Sequence, residues 1–286
     1  MRQDYSRTAE GMAMLRALEQ HQPAARRILD DPYAKEFLFN PAFRLLAWLP
    51  LHSRGTSFLL QFWAPGGQEF LTIRPRFVDE LAVEQAAQGV NQIVLLGAGF
   101  DTLAWRQREA LRKVAICEVD HPATQRAKRR VSERIGQPDN LRFVAVDFER
   151  DDFVEKLADA GFDAKRPSFI IWVGVSYYLT AQAVADTLQR IAKISQPGTK
   201  LVWDYMLAEV VNGTSRNLEA LDKARRAARL GEPWLFGLEP ARLSEYVSQF
   251  GLKLLHDYEP AELRARYCPQ RQMPMNYVRI AVCERT

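Results

Sequence analysis

The chain is poor in the features that mark disulfide, metal or membrane proteins. It holds three cysteines, Cys117, Cys268 and Cys283, an odd number without metal-ligand spacing. Two of them fall in apolar runs that read as strands, so buried free thiols are expected, not ligands or a nucleophile. The four histidines, His21, His52, His121 and His256, are scattered and form no zinc motif. The longest apolar run, Phe169–Val175, is far too short to cross a bilayer. Met1–Arg7 carries charge with no apolar leader segment, which leads us to expect a cytoplasmic protein. Repeats and low-complexity linkers are missing as well, and a chain of 286 residues with 47% hydrophobic and 26% charged residues can fill the core of one large domain.

Charge excludes less. A net charge of +4 and a pI near 9.0 raise the question of nucleic acid. Arg126, Arg130 and Arg134 recur at helical i, i+4 spacing, and Lys223, Arg225, Arg226 and Arg229 form a second cluster. Without a recognition motif, both read as solvated helix faces. The expected partner is a small-molecule acceptor, with an anionic one compatible with the charge, and neither nucleic acid nor a membrane.

What is present is concentrated in Asn91–Asp101, where the apolar run Ile93–Leu96 ends abruptly in Gly97-Ala-Gly99 before the pattern of a helix. Gly97 and Gly99 lack a Cβ, so the chain can turn sharply out of a buried strand and bring backbone N–H groups close to a ligand. The third glycine of the dinucleotide fingerprint is replaced by Thr102. A pyrophosphate on a helix N-terminus asks for that glycine, whereas a nucleoside without phosphate does not, so the turn favours S-adenosylmethionine over NAD.

Two further strands end in acids. Val114–Asp120 places Asp120 21 residues after Gly99, where a doubly wound sheet puts an acceptor for ribose hydroxyls. Leu141–Val146 leads into Asp147 and Phe148, an acceptor for an adenine amino group and a ring to pack on the base. One such acid alone is a helix cap or a turn residue. Acids at three successive strand ends, Asp101, Asp120 and Asp147, with the glycine turn first, point to a nucleoside site.

Residues 1–90 read as an all-helical cap that is part of the same domain. It is broken at Pro23, Pro32, Pro41, Pro50 and Pro65, with Met12, Leu15 and Leu18, and then Phe37, Leu38, Leu45 and Leu46, at amphipathic spacing. Over 91–286, strands at 92–96, 113–119, 141–146, 168–174 and 199–205 alternate with helices at 101–109, 122–136, 152–160 and 180–195. An insertion at 206–235 that covers the substrate follows, then a helix near 240–250 and strands at 252–258 and 277–284. This alternation predicts an α/β fold with a parallel sheet wound on both faces, whose ligands gather beyond the carboxyl ends of the strands.

Seven stretches together resemble the leucine carboxyl methyltransferase family, in its bacterial S-adenosylmethionine-dependent branch, over nearly the whole chain. They are Ser6–Ala9 with Arg16-Ala17, Asp31–Tyr33, Ile73–Asp79, Leu96–Arg106, Glu118–Pro122, Asp147-Phe148 and Gly174–Leu179. The resemblance implies a class I methyltransferase, Rossmann-like sheet of seven strands with an antiparallel last hairpin, covered by the N-terminal helices and an insertion after strand five. It implies S-adenosylmethionine as cofactor, with Arg74 on the methionine carboxylate, Gly97 at the amino-acid end, Asp120 on the ribose, and Asp147 and Phe148 on the adenine. Arg16 is placed near the carboxylate or the substrate. A planar guanidinium suits a carboxylate, which it can meet with two parallel hydrogen bonds.

One position departs from the family pattern. Where the family commonly has Glu-Gly-Val-x-x-Tyr-Leu after strand four, this chain has Val173 in place of the glutamate, which would sit near the cofactor's amino group or the acceptor. The expected reaction is O-methylation. A carboxylate acceptor, ionised at neutral pH, needs no general base, so a small acid or a chain terminus giving an ester is favoured over a hydroxyl or phenol of secondary metabolism. Tyr5, Arg7, Tyr177 and Tyr178 are candidates to orient the acceptor, and Tyr177, Tyr178 and His121 are the catalytic candidates, although His121 also reads as a helix-start residue. A non-catalytic cofactor-binding protein, suggested by Val173, and a NAD-dependent oxidoreductase, opposed by Thr102, are the alternatives.

Overall fold

The computed structural model describes residues 5–48, 68–148, 150–229, 231–271 and 275–286. His52, Pro50 and Pro65 lie outside them. Strands β1 (Gln92–Leu96), β2 (Ala115–Asp120), β3 (Leu141–Ala145), β4 (Phe169–Trp172) and β5 (Lys200–Leu207) run parallel, and β8 (Val278–Arg285) lies antiparallel between β5 and β7 (Leu252–Tyr258). The order β3-β2-β1-β4-β5-β8-β7, with the short β6 (Gly237–Leu238) beside β5, is the expected class I methyltransferase sheet. Chain order reverses between β1 and β4, and the crevice there is where a doubly wound sheet takes its ligand.

Both faces of the sheet are covered, which is why the central strands are apolar throughout instead of alternating. Ile93 and Leu95 of β1 face one buried cluster with Leu15 of α1 (Arg7–Glu19) and Phe77 of α3 (Gln68–Ala87), while Val94 and Leu96 face another. That second cluster takes in Phe153 and Leu157 of α6 (Phe153–Asp159) and Val184, Leu188 and Ile191 of α7 (Ala181–Lys193). Thr180 starts α7 by accepting the Ala183 N–H, and its three apolar residues return at three- and four-residue steps to one buried face.

The sequence placed too much regular helix in two regions. Helix α4 covers only Leu103–Arg106, short of the expected 101–109, and the region near 240–250 holds α10 (Leu243–Ser248) after a single 3-10 turn. In the described part of the cap, Phe37 and Leu38 lie in and just after a 3-10 turn, Ala34–Phe37, and not in an α-helix. Leu45 in α2 (Pro41–Trp48) is 62% exposed and does not join the core that its spacing predicted. The insertion holds α8 (Ala208–Val211) and α9 (Leu218–Arg229). The basic residues of both clusters sit on α5 (Pro122–Ile135) and α9: Arg126, Arg130 and Arg134 are exposed, and on α9 Lys223 and Arg226 pair with Glu219 and Asp222 four residues before. The three cysteines are buried free thiols. Among the described residues no helix is long and apolar enough to cross a membrane.

Candidate functional site

A cavity of about 750 Å³ opens at the carboxyl ends of β1, β2 and β4, with α1 and α3 as its roof. Its lining includes Gly99, Asp120, His121 and Phe148 at the ends of the strands, Gly97, Val173 and Arg74, and Thr8, Tyr178, Glu232 and Leu235.

The glycine turn works through its conformation. Gly97 and Gly99 have φ of +70° and +51°, in the left-handed region that side chains avoid, and a Cβ on Gly97 would overlap Val175. Against expectation, the turn does not aim its N–H groups at a ligand: those of Gly97 and Ala98 donate to the Val119 carbonyl at 2.8 and 3.1 Å, and that of Gly99 to Asp120 Oδ2 at 2.5 Å. Such a turn presents no anion cradle. Asp120 takes its other N–H from His121 at 2.7 Å, which orients the carboxylate at the end of β2. Burial pushes its pKa above the ordinary carboxylate range, and those two hydrogen bonds oppose the rise.

Arg74 is buried on α3, one residue before Pro75, which sits inside the helix and costs it one backbone hydrogen bond at the cavity wall. Its Nη1 donates to Asp204 Oδ2 at 2.7 Å and to the Tyr177 hydroxyl at 3.4 Å. Asp204 is fully buried in β5, where it also accepts the Gly174 N–H at 2.8 Å, and its carbonyl accepts the Ser176 hydroxyl. Gly174, with φ of +77°, lets the guanidinium lie against it; a Cβ there would come within 3.0 Å of Arg74 Nη2. Burial alone would depress the arginine pKa, but Asp204 outweighs it and holds the charge.

Arg16 also lines the cavity, tied by Nε to Asp31 at 2.9 Å and by Nη2 to the Phe100 carbonyl at 2.6 Å. Thr102, which replaces the third glycine, is buried and donates to Asp31 at 2.7 Å, and Arg106 joins the same group while gripping Asp79 at 2.6 Å. This network clamps α1 and α3 onto the glycine turn. Beside it, burial would raise the Asp101 pKa, but the charges of Arg106, Arg16 and Lys128 win and bring it to about 2.

Of the residues singled out in the sequence, Arg74, Gly97, Gly99, Asp120, Phe148, Val173, Arg16, Tyr178 and His121 line the cavity. Asp147, Tyr5, Arg7 and Tyr177 lie off it, and His121 has a second task. Asp147 is not on the lining; it turns the chain into α6, its N–H donating to Asp151 at 2.9 Å and its carbonyl accepting from Asp151 at 2.7 Å. Tyr5 also lies off the lining, with its hydroxyl on Glu10 at 3.1 Å and its ring 4.8 Å from Phe39, and Arg7 is exposed away from it. His121 is the N-cap of α5, its Nδ1 accepting the Ala123 N–H at 3.2 Å. Tyr177 is off the lining and serves Arg74, and burial keeps its hydroxyl protonated far into the alkaline range.

Tyr178 is on the lining, its pKa pushed up to about 12 by burial and then by the Glu232 charge, so it is a hydrogen-bond donor and no base at neutral pH. Asp204 and Glu232 were missed. Asp204 could have been found as the lone acid within the apolar run Leu201–Leu207; Glu232 follows a loop glycine and carries no comparable signal.

The cavity fits a nucleoside amino acid, with an oriented acid and an aromatic ring at one end, a buried arginine in the middle, and a turn closed by glycines where a Cβ would intrude. A Bacillus subtilis protein provisionally named as an S-adenosyl-L-methionine-dependent methyltransferase is 29% identical over 70% of this chain and 66% of its own length. A Mycolicibacterium smegmatis protein of the same provisional name is 36% identical over 70% and 66%. The chain thus spans just under two thirds of the length of these relatives. A solved structure provisionally named as a Thermobifida fusca methyltransferase superposes with a TM-score of 0.62 at 18% identity, over 94% of this chain and 97% of that one, and so shares the fold. The family model described as leucine carboxyl methyltransferase matches residues 9–192, a stretch that takes in Arg74, Gly97, Gly99, Asp120, Phe148 and Val173 of the lining, and the chain belongs to that family.

Proposed function

We propose that this chain is an S-adenosylmethionine-dependent O-methyltransferase. The observation that carries the reading is the pairing, in one cavity, of the oriented carboxylate of Asp120 with the buried guanidinium of Arg74, which suit the ribose and the methionine carboxylate of one ligand. When bound, S-adenosylmethionine supplies an electrophilic methyl group on a sulfonium. The protein's part is to hold an acceptor oxygen in line behind that methyl and to exclude water. Phe148 offers a ring for the adenine, and Val173 with Gly97 closes the wall beside the amino-acid end.

The acceptor has two readings. Carboxylate methylation is what the family description suggests, and it needs no base. A hydroxyl acceptor is the second reading, with the Tyr178 hydroxyl on the cavity lining as a group to orient it.

The cofactor assignment is tested by thermal denaturation. S-adenosylhomocysteine should raise the melting temperature and NAD should not, because only a ligand of the native state stabilises it by mass action. Equal shifts with both would overturn the reading.

A further inference from the structure

We propose that Lys128 is a positioning residue for the cofactor: its buried ammonium acts on the Asp120 carboxylate from inside the protein and keeps it charged for the ribose. The proposal rests on the cofactor reading above.

Lys128 stands on α5 about two turns after the His121 cap, and its Nζ lies 2.5 Å from Glu118 Oε2 and 5.9 Å from the centre of the Trp105 ring of α4. Both charged side chains are 1% exposed, so salt and water screen them little. Side chains alternate along β2: Cys117 and Val119 enter one buried cluster and Ile116 the other, which puts Glu118 and Asp120 together on the face of Ile116. Two residues advance a strand by about 6.5 Å, so an ammonium in contact with Glu118 also acts on Asp120. The helix that carries it is tied to the same strand, because the Gln125 amide donates to the Glu118 carbonyl at 2.6 Å and to the Val144 carbonyl of β3 at 2.8 Å.

The acids around this ammonium differ in what they ask of it. Burial raises the Glu118 pKa to about 7 even with Lys128 beside it, so near neutral pH Glu118 cancels only part of the ammonium's charge. Asp101 also feels Lys128, but Arg106 and Arg16 act on it more strongly. For Asp120 the order is different. Beyond its hydrogen bonds from the Gly99 and His121 N–H groups, the charge that most favours its ionised form is that of Lys128, ahead of His121, and an ionised Glu118 opposes both. An ionised carboxylate accepts hydrogen bonds at both oxygens, whereas a protonated one gives up part of that capacity, so ribose hydroxyls are bound best by the charged form.

The test measures S-adenosylhomocysteine affinity by calorimetry between pH 5.5 and pH 8, in the full chain and in Lys128→Met, which keeps a long side chain without its charge. Removing the ammonium makes Asp120 easier to protonate, so the fall in affinity on acidification should begin about one pH unit higher in the variant. The variant should bind about three- to tenfold more weakly than wild type at pH 5.5 and within about twofold of it at pH 8. On an Asp120→Asn background, which has no proton to take up at that site, Lys128→Met should change affinity by less than about twofold at either pH. Glu118→Gln keeps the ammonium and should keep the wild-type profile. The paired variant Glu118→Gln with Lys128→Met strands no charge in the core and carries the same comparison if Lys128→Met alone does not fold. An equal loss at both pH values, an undiminished loss on the Asp120→Asn background, or no loss at pH 5.5 overturns the assignment and leaves the cofactor reading intact. Failure of wild type to bind S-adenosylhomocysteine overturns the cofactor reading instead.

Discussion

Arg74 on helix α3 and Asp204 on strand β5 meet at 2.7 Å, and through that contact the chain carries a buried acid beside the position where its family commonly has a glutamate. Trp172 pairs with Trp203 in the β4–β5 register, so Val173 and Asp204, the next residues, emerge side by side. The carboxylate is therefore found one strand over, where it fixes the guanidinium from behind and still holds the Gly174 N–H.

This pairing leads to an expected outcome for Asp204→Ala. Removing one partner of a buried ion pair leaves the other charge uncompensated and costs about 3–5 kcal/mol, measured by urea denaturation. The carboxylate of S-adenosylhomocysteine then becomes the main anion available to Arg74, so the ligand should raise the melting temperature of Asp204→Ala by more than that of wild type. A smaller rise would mean that Asp204 is needed to aim the arginine as well as to neutralise it.

The motifs legible in the sequence were those whose residues do their work locally. A βα alternation, a glycine turn and an acid at the end of β2 are set by short-range rules, and all three stand where they were expected. The stretches Asp31–Tyr33, Ile73–Asp79 and Leu96–Arg106 marked the family without revealing their purpose, which is visible only when Asp31, Asp79 and Arg106 converge in one buried network. Such convergence depends on helices far apart in the chain. Asp147 lies off the cavity lining, and in the turn after β3 its backbone N–H donates to the Asp151 carboxylate while its carbonyl accepts the Asp151 N–H, a local geometry that the residue type alone does not show. Glu232 is held by Thr8, 224 residues away in the chain, so no local pattern announces it.

Asp101 offers a pH test of the network. Its folded-state pKa of about 2 lies below the ordinary value of 3.8, so its ionised form is favoured in the fold and contributes stability above the unfolded pKa. That contribution is lost as pH falls from about 4 through about 2. Asp101→Asn keeps an oxygen for the Leu103 N–H, which Asp101 accepts at 2.6 Å, but removes the charge. The variant should be less stable than wild type by on the order of 1–3 kcal/mol at pH 6, and the gap should close towards pH 2. A gap that stays constant over that range in chemical denaturation would assign the effect to packing.

The last expectation separates the role of Arg74 in ligand binding from its role in the fold. Arg74→Ala removes the guanidinium that suits the methionine carboxylate and also leaves Asp204 buried without its partner, so some loss of stability is built into the variant. Stability alone therefore says little. Two ligands that differ at the relevant group resolve it: S-adenosylhomocysteine carries the carboxylate, and 5′-methylthioadenosine keeps the adenosine and the sulfur but lacks it. If Arg74 binds the carboxylate through charge-assisted hydrogen bonds, calorimetry should show a loss of about 1.5–3 kcal/mol for S-adenosylhomocysteine. For 5′-methylthioadenosine, which relies on Asp120 and the glycine turn, the change should be within a few tenths of a kcal/mol, the scale of an untouched contact. The double variant Arg74→Ala with Asp204→Ala, free of the stranded acid, should keep the same discrimination. Equal losses for the two ligands in both variants would show that Arg74 acts on the cavity only through folding.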